Sequence, residues 1–189
     1  MLRDRVLQIV REYIDAHPKE HGLFRLLRHV EVNDKFWSRK EAKGHITCSA
    51  ILINPELRVL QVHHRVLDRW LFPGGHVDDG DQSLPDAALR EVEEEVSISR
   101  KYVVQAFDRD APIDINCHSI PRNETKGEPR HFHWDFRYVF FTNRILVHCN
   151  RDEIQAAAWR GIGEMNAPIM AKLNRLLSDE KIRRSASSW

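Results

Sequence analysis

The 189-residue sequence has few cysteines, no long apolar run and almost no excess charge. Its cysteines, Cys48, Cys117 and Cys149, are odd in number and form no CxxC pair, which predicts a reducing, cytoplasmic setting without a disulfide framework. No stretch approaches the roughly 18 apolar residues of a membrane span, and frequent charges in residues 1–18 exclude a signal peptide there. The formal net charge of +1 gives no reason to expect a nucleic acid polymer or a membrane as partner.

Length and composition indicate one globular domain with a modest addition. Hydrophobic residues make up 42% of the chain and charged residues 30%, which is enough apolar material for a core. We predict a helical extension over residues 1–40, a main domain over 41–180 and a mobile tail over 181–189. The extension has an apolar face, on which a homodimer interface can be hypothesised.

Hydrophobic periodicity predicts helices that flank a run of strands. One helix ends at Pro18, a second lies within Leu23–Val32, a third covers Leu84–Val96, and a closing helix includes Ile169–Leu177. Strands are predicted over Ile46–Ile53, Val59–His64, Val103–Phe107, Ile113–His118, Phe132–Thr142 and Ile145–Val147. The expected fold class is therefore α+β or mixed α/β, with a sheet covered by helices.

Clustered acidic residues in the helix Leu84–Val96 are the strongest candidates for chemistry. Glu91, Glu94 and Glu95 are three and four residues apart, so their carboxylates project from one helix face. Like charges at this spacing destabilise a helix by roughly a few tenths of a kcal/mol per pair, and a bound cation would relieve the repulsion. Oxygen ligands at this density suit Mg²⁺ or Mn²⁺. Taken alone, the run is also what an ordinary solvated helix face contains.

A glycine-rich turn precedes this helix at Pro73-Gly74-Gly75. Glycine allows the backbone to approach a ligand closely, and a loop that leads into a helix can offer N–H groups to phosphate oxygens. A divalent cation that bridges carboxylates and a diphosphate would neutralise charge and activate water for attack on phosphorus. The turn and the acidic helix are individually weak signals, and their combination at this spacing is much more specific.

The combined pattern resembles the Nudix box, G-x5-E-x7-R-E-U-x-E-E-x-G-U, where U is a bulky aliphatic residue. Gly75 matches the opening glycine, the segment Arg90–Glu95 matches R-E-U-x-E-E, and Ile98 matches the last position. On these residues the chain looks like a bacterial-type member of the Nudix (MutT-type) hydrolase family. The wider resemblance runs from about residue 45 to residue 159.

The sequence departs from the box at three places. Asp81 stands where the first glutamate is expected, which keeps a carboxylate but shortens it. The interval from Asp81 to Arg90 is one residue too long, and this insertion falls in a loop, where extra length is tolerated. Ser97 replaces the late glycine, which in the box eases a left-handed helix cap. These departures affect the geometry of the loop more than the R-E…E-E core.

The resemblance implies an α/β/α sandwich with a mixed central sheet and a metal-dependent active site on the box. It implies that the catalytic residues are Arg90, Glu91, Glu94 and Glu95, and that the metal ligands are Gly75, Glu91, Glu94 and Glu95. Arg90 would orient a catalytic glutamate, and Glu91 would be either a ligand or the base that activates water. Asp81 would either stabilise the loop–helix junction or reach the metal through water.

A second polar pattern alternates along the predicted strand Phe132–Thr142 and just before it. His131, His133 and Asp135 share one face of that strand, and Asp114, Asn116 and His118 share a face of another. Paired strands would form a polar face that binds substrate, holds a second metal, or simply faces solvent. The full set of substrate-binding candidates is His76, Asp81, His131, His133, Asp135 and Glu153. Glu153 is alternatively an acid at the start of a helix.

The leading functional hypothesis is an enzyme that uses Mg²⁺ or Mn²⁺ to hydrolyse a phosphoanhydride bond. Its expected substrate is a small nucleotide or a nucleoside diphosphate joined to another moiety. A non-catalytic Nudix-fold sensor of nucleotides is the alternative, but degenerate members generally lose box glutamates, and this chain keeps three. A diphosphate isomerase would need a cysteine in the cleft, and neither Cys48 nor Cys117 lies on a motif that supports one.

Overall fold

A computed structural model describes residues 2–20, 22–107, 110–124 and 127–187 of the chain. Its helices are α1 (Leu2–Ala16), α2 (Leu23–Val32), α3 (Leu84–Val96), α4 (Ala167–Ser178) and α5 (Glu180–Ser187). Its strands are β1 (Gly44–Ile53), β2 (Arg58–His64), β3 (Arg69–Leu71), β4 (Gly74–His76), β5 (Val103–Gln105), β6 (Asp114–Ile120), β7 (His131–Thr142) and β8 (Ile154–Gly161). None of the helices in these ranges is long and apolar enough to cross a membrane.

The strands form one sheet whose central pair, β1 and β7, is parallel. Along the main path the order is β3-β2-β1-β7-β5, while β4 pairs with β1, β6 with β7 and β8 with β2. The remaining pairings are antiparallel, so the sheet is mixed as predicted. Because β1 and β7 are central, side chains on their two faces decide what the protein buries and what it exposes to a ligand.

Helices cover both faces of the sheet. Even-numbered residues of β1 and β7, such as Cys48 and Phe136, pack with apolar residues of α1, α2 and α3. Odd-numbered residues near the carboxyl ends of both strands, such as Ile51 and Val139, pack with α4. This arrangement confirms the expected α/β/α sandwich. The apolar face of α1 and α2, on which the homodimer hypothesis rested, is buried in the core of the protomer itself.

Three segments differ from the sequence prediction. The Gly74-Gly75 turn is part of a short strand, β4, that pairs with β1. Residues 145–147 do not form a strand, and Leu146 is 85% exposed. The strand β8 lies further along the chain and pairs with β2. Residues 181–187 of the predicted mobile tail belong to α5, residues 188–189 lie outside the described ranges, and the mobility of the tail stays a prediction.

Candidate active site

Helix α3 carries the acidic residues of the box, and both of its ends are capped. The Ser83 side chain accepts a hydrogen bond from the Asp86 backbone N–H, which satisfies a free donor in the first turn. At the other end Ser97 adopts a left-handed conformation with φ of 57°, and its N–H donates to the Glu93 carbonyl. The helix therefore needs, at residue 97, the backbone geometry that glycine supplies in the box.

The three box glutamates differ in exposure. Glu91 is 9% exposed and Glu95 is 3% exposed, whereas the Glu94 side chain is 53% exposed. Burial raises the pKa of Glu91 to about 7, against the lowering influence of Arg90. Burial and the charge of Glu91 raise the pKa of Glu95 to about 8. Two carboxyl groups are thus held where ionisation is costly unless positive charge is brought to them.

Arg90 joins the helix to the loop that precedes it. Its guanidinium donates to both Asp81 carboxylate oxygens at 3.1 and 3.2 Å and to the His76 carbonyl at 2.7 Å. It also donates to Glu91 at 3.0 Å and to Glu94 at 3.1 Å. Burial opposes its charge, but the hydrogen bonds with Asp81 and the charge of Glu91 outweigh this and raise the pKa of Arg90. Arg90 therefore fixes both the loop and the Glu91 carboxylate.

Strand β4 packs directly against the glutamates. A methyl group built on Gly75 would lie 2.5 Å from Glu91 Cδ and 2.7 Å from Glu91 Oε2, so only glycine leaves room for the carboxylate. The Gly74 N–H donates to Glu95 Oε2 at 3.2 Å. The Gly74 and Gly75 backbone thus lies against the two buried carboxylates on the α3 face of the sheet.

Glu153 adds a further acid near this set. It precedes strand β8 and not a helix, which corrects the reading of Glu153 as an acid at a helix start. Its charge contributes to raising the pKa values of Glu91 and Glu95. The Asn150 N–H donates to the Glu95 carbonyl at 2.8 Å, which ties this connection to the end of α3.

This donor set fits a divalent cation. Glu91 and Glu95 are buried carboxylates with raised pKa values, and a dication would offset their mutual repulsion and their loss of solvation. Because Gly75 has no side chain, the Glu91 carboxylate lies directly against the β4 backbone. Oxygen donors of this kind are the ligands that hard cations prefer.

A cavity of about 460 Å³ lies on the opposite face of the sheet. Among the predicted substrate-binding residues, His76, His133 and Asp135 line it, whereas Asp81 and Glu153 do not. Its wall also includes side chains that were not singled out from the sequence, among them Thr47, Ser49 and Arg137. Gly74 and Gly75 border the same cavity, so the β4 backbone separates it from the glutamates.

Arg137 organises the floor of this cavity. It donates to Asp135 at 2.9 Å and to Asp114 at 2.9 Å, and all three side chains are largely buried. Asp135 also accepts hydrogen bonds from the Thr47 and Ser49 hydroxyl groups. The pairing of β6 with β7 that the alternating pattern predicted is confirmed, with Asp114 opposite Arg137. Arg137 was not selected from the sequence. It follows Asp135 by two residues and so lies on the same face of the strand, and this spacing could have identified it as the partner of Asp135.

A cluster of histidines lies beside the cavity floor. His45 is the register partner of His133 in the parallel pair, and their ring centroids are 4.5 Å apart. His131 and His76 also lie within 5.2 Å of His45. Burial lowers the pKa of His45 to about 4 and that of His76 to about 4, and burial also lowers the pKa of His133. Sequence reasoning did not select His45, since only the β1–β7 pairing brings it to the others.

Comparison with known proteins agrees with this geometry. The family model described as "NUDIX domain" matches residues 43–179. A relative from Lactococcus lactis subsp. cremoris (strain MG1363), named "Probable DHNTP pyrophosphohydrolase", is 27% identical over 143 residues, covering 73% of this chain and 78% of that protein. A solved NUDIX-family hydrolase from Clostridium perfringens superposes with a TM-score of 0.51 at 19% identity, covering 71% of this chain and 96% of that chain.

The match over residues 43–179 covers more than half of the chain, and the Clostridium structure has the same fold. The prediction of an enzyme that acts on phosphoanhydride bonds is confirmed, and hydrolases of this family need a divalent metal ion. This chain belongs to the NUDIX family.

Proposed function

We propose that the protein hydrolyses a phosphoanhydride bond in a nucleoside diphosphate joined to another moiety, with Mg²⁺ or Mn²⁺ as cofactor. The observation that carries this proposal is the burial of Glu91 and Glu95 against the β4 backbone. Carboxylates confined there have raised pKa values, and they become a stable charged pair only with a cation between them and the substrate phosphates. Oxygen donors favour the hard ions Mg²⁺ and Mn²⁺.

The site residues have separate roles in this proposal. Glu94, Glu95 and the Gly75 carbonyl would hold the ion, which when bound supplies positive charge to the phosphate oxygens and acidifies the attacking water. Arg90 positions the Glu91 carboxylate through its hydrogen bond of 3.0 Å. Glu91 is either a ligand or the base, and its pKa of about 7 suits a group that accepts a proton near neutral pH. Asp81 holds Arg90 and the loop in place.

The cavity on the other side of β4 is the proposed site for the rest of the substrate. It adjoins Gly74 and Gly75, so a diphosphate placed at the box would leave its attached groups beside His133, Asp135 and Trp70. Trp70 offers an aromatic surface on which a base can stack. The Lactococcus relative carries the name of an enzyme for dihydroneopterin triphosphate, and this compound belongs in the substrate panel with nucleoside triphosphates, nucleotide sugars, dinucleoside polyphosphates and ADP-ribose.

The three cysteines are unpaired, which supports the proposed reducing, cytoplasmic setting. The non-catalytic alternative, a nucleotide sensor on the same fold, predicts ligand binding without turnover. No residue of the box core favours it, because Arg90, Glu91, Glu94 and Glu95 are retained.

The test is a panel of these compounds assayed for phosphate-containing products with Mg²⁺ or Mn²⁺. Glu95→Gln should reduce turnover by more than about 100-fold while the fold survives, because the substitution removes a charge and keeps the shape. Glu94→Gln should also abolish turnover. Glu93→Gln is the matched control, since this residue lies on the same helix and its carboxylate accepts from the Arg100 backbone. Wild-type rates in both Glu94→Gln and Glu95→Gln would contradict the mechanism.

A further inference from the structure

The histidine cluster contains a side chain whose polar atoms have no partner. Both ring nitrogens of His45, Nδ1 and Nε2, are buried and lack a hydrogen bond within the described residues, and the whole residue is 1% exposed. A buried imidazole without partners costs free energy comparable to a lost hydrogen bond. The ring lies between those of His131, His133 and His76. Neither nitrogen of this ring therefore has a hydrogen-bond partner of normal geometry among the described protein groups.

The ring nitrogens of the neighbouring histidines lie close enough together to share one metal ion. One nitrogen each of His45, His131 and His133 can be chosen so that all three lie within 4.8 Å of one another. Nε2 of His131 and Nε2 of His133 are 3.2 Å apart. Adjacent nitrogens of a tetrahedral zinc ion, at about 2.0–2.1 Å from the metal, are separated by roughly this distance.

His131 is also oriented in the manner of a metal ligand. Its Nδ1 lies 2.8 Å from the Pro129 carbonyl, so this nitrogen carries the proton and donates it. Nε2 of His131 is then left with a lone pair that points at the cluster. A histidine that binds metal almost always donates its second ring N–H to such an acceptor, which fixes the tautomer and the ring orientation.

Asp135 does not belong to this set, although it completes the HxHxD motif. Its carboxylate accepts hydrogen bonds from Thr47, Ser49 and Arg137. His118 also lies outside this set of three histidines, and its Nδ1 is 3.1 Å from the Asn116 side-chain oxygen. Of the three motif residues, His131 and His133 therefore belong to the histidine cluster, whereas Asp135 is held by its hydrogen bonds with Arg137 and the two hydroxyl groups.

The cluster is separate from the box glutamates. His45 and His133 have odd numbers on the parallel central strands and lie on the cavity face, as does His76, whose register partner is Thr47. Gly75, the preceding residue of β4, is paired with Cys48 and therefore faces α3 and the Glu91 carboxylate. The sheet backbone stands between the two donor sets, one made of nitrogen atoms and the other of oxygen atoms.

We propose that His45, His131 and His133 form a binding site for a transition-metal ion of the zinc type, distinct from the cation site of the box. His76, whose ring centroid lies 5.0 Å from that of His45, is placed to be a fourth ligand after a side-chain rotation. Imidazole nitrogens suit Zn²⁺ and not Mg²⁺. His76 and His133 border the cavity, which gives the ion a path from solvent. A bound ion would link β1 to β7 and, through His76, to the strand that carries Gly75.

The direct test measures metal binding without any substrate. The full-length protein is treated with a chelator, desalted and titrated with Zn²⁺ by calorimetry, and retained zinc is counted by elemental analysis after gel filtration. One equivalent of zinc should remain bound. His133→Gln and His131→Gln should each weaken Zn²⁺ binding by more than about 100-fold, since loss of an outer partner alone costs 10- to 100-fold.

Two matched variants identify the site. His118→Gln removes a histidine whose ring centroid is 5.6 Å from that of His133 but which lies outside the set, and it should leave Zn²⁺ affinity within about threefold. Glu91→Gln, in the box, should also retain the zinc. The proposal would be overturned if His133→Gln and His131→Gln retained one equivalent of Zn²⁺, or if Glu91→Gln lost it.

A spectroscopic measurement on the unmodified protein covers the case in which the histidine variants fail to fold. Co²⁺ substituted into a four-coordinate nitrogen site absorbs visible light strongly, whereas Co²⁺ held octahedrally by oxygen atoms absorbs weakly. We expect the strong spectrum at one equivalent of Co²⁺, and its displacement by one equivalent of Zn²⁺. A weak, octahedral spectrum, or no zinc retained by the wild-type protein, would refute the site independently of hydrolytic activity.

Discussion

Substitution of Gly75 by alanine should inactivate the enzyme without unfolding it. The backbone at Gly75 has no left-handed φ, so alanine can adopt its conformation. The added methyl group would lie 2.5 Å from Glu91 Cδ, and an ordinary contact needs about 3.5 Å. The Glu91 carboxylate must therefore move by roughly 1 Å. Because the obstructing atoms are the end of a side chain, the cost in stability should be small, about 1 kcal/mol.

The cost in activity should be much larger. Misplacement of a catalytic group by about 1 Å can reduce turnover by roughly 100-fold. The displaced Glu91 would also lose its geometry with Arg90, which at present donates to it at 3.0 Å. We therefore expect Gly75→Ala to lower kcat by about 100-fold and to weaken Mn²⁺ binding, while urea denaturation changes little.

Two neighbouring glycines provide the controls. A methyl group on Gly74 would lie 2.7 Å from the Ser49 Cα and would also clash with the Cys48 carbonyl, so Gly74→Ala should disrupt the sheet. A methyl group on Gly80 would have nothing within 4 Å, and Gly80→Ala should behave as wild type. Turnover is measured on a substrate found in the panel, and stability by urea denaturation. Wild-type turnover in Gly75→Ala, or unfolding like that of Gly74→Ala, would refute the reasoning.

Three further predictions concern stability. Arg137→Met should lower the free energy of unfolding by about 3 kcal/mol, because Asp135 and Asp114 lose a buried partner; a urea-measured loss below about 1 kcal/mol would contradict this. Ser97→Gly should be more stable than Ser97→Ala by about 1 kcal/mol in thermal denaturation, since only glycine adopts φ of 57° without strain, and equal stabilities would argue against strain. In chelator, the free energy of unfolding should fall by roughly 3 kcal/mol or more between pH 5 and pH 8, because the raised pKa values of Glu95 (about 8) and Glu91 (about 7) leave more protons on the folded state than on the unfolded state in that window. Glu95→Gln should reduce this pH dependence, and an unchanged slope in that variant would assign the effect to other groups.

Helices α1 to α4 were predictable because each carries its own signal. Helices α2 and α3 have the predicted bounds, Leu23–Val32 and Leu84–Val96, and their apolar spacing is set by contacts with one side of the core. Strand β8 was missed because Ile154–Gly161 is rich in alanine, which has little strand preference, and pairing with β2 outweighs that preference. Residues 145–147 have strand-forming side chains but no partner strand, so the prediction there was wrong.

The residues of the candidate site also differ in whether the sequence alone could identify them. Arg90, Glu91 and Glu95 were selected from the sequence because they lie within two helical turns, and helix geometry alone brings them together. His45 is separated from His133 by 88 positions in the chain, and only the register of a parallel strand pair makes them neighbours. Long-range register of this kind leaves no local periodicity in the sequence, so the histidine cluster required the structure.

The Lys172 side chain on α4 has a consequence for where the chain can be shortened. Its ammonium group donates to the Tyr13 hydroxyl on α1 and to Asp114 on β6 at 2.6 Å, and it pairs with Glu20 at 2.6 Å. A chain that began near residue 43, where likeness to the family begins, would lose two of these partners and expose the apolar surface under α1 and α2. We expect such a truncation to aggregate, so the segment that relatives share is smaller than the unit that folds.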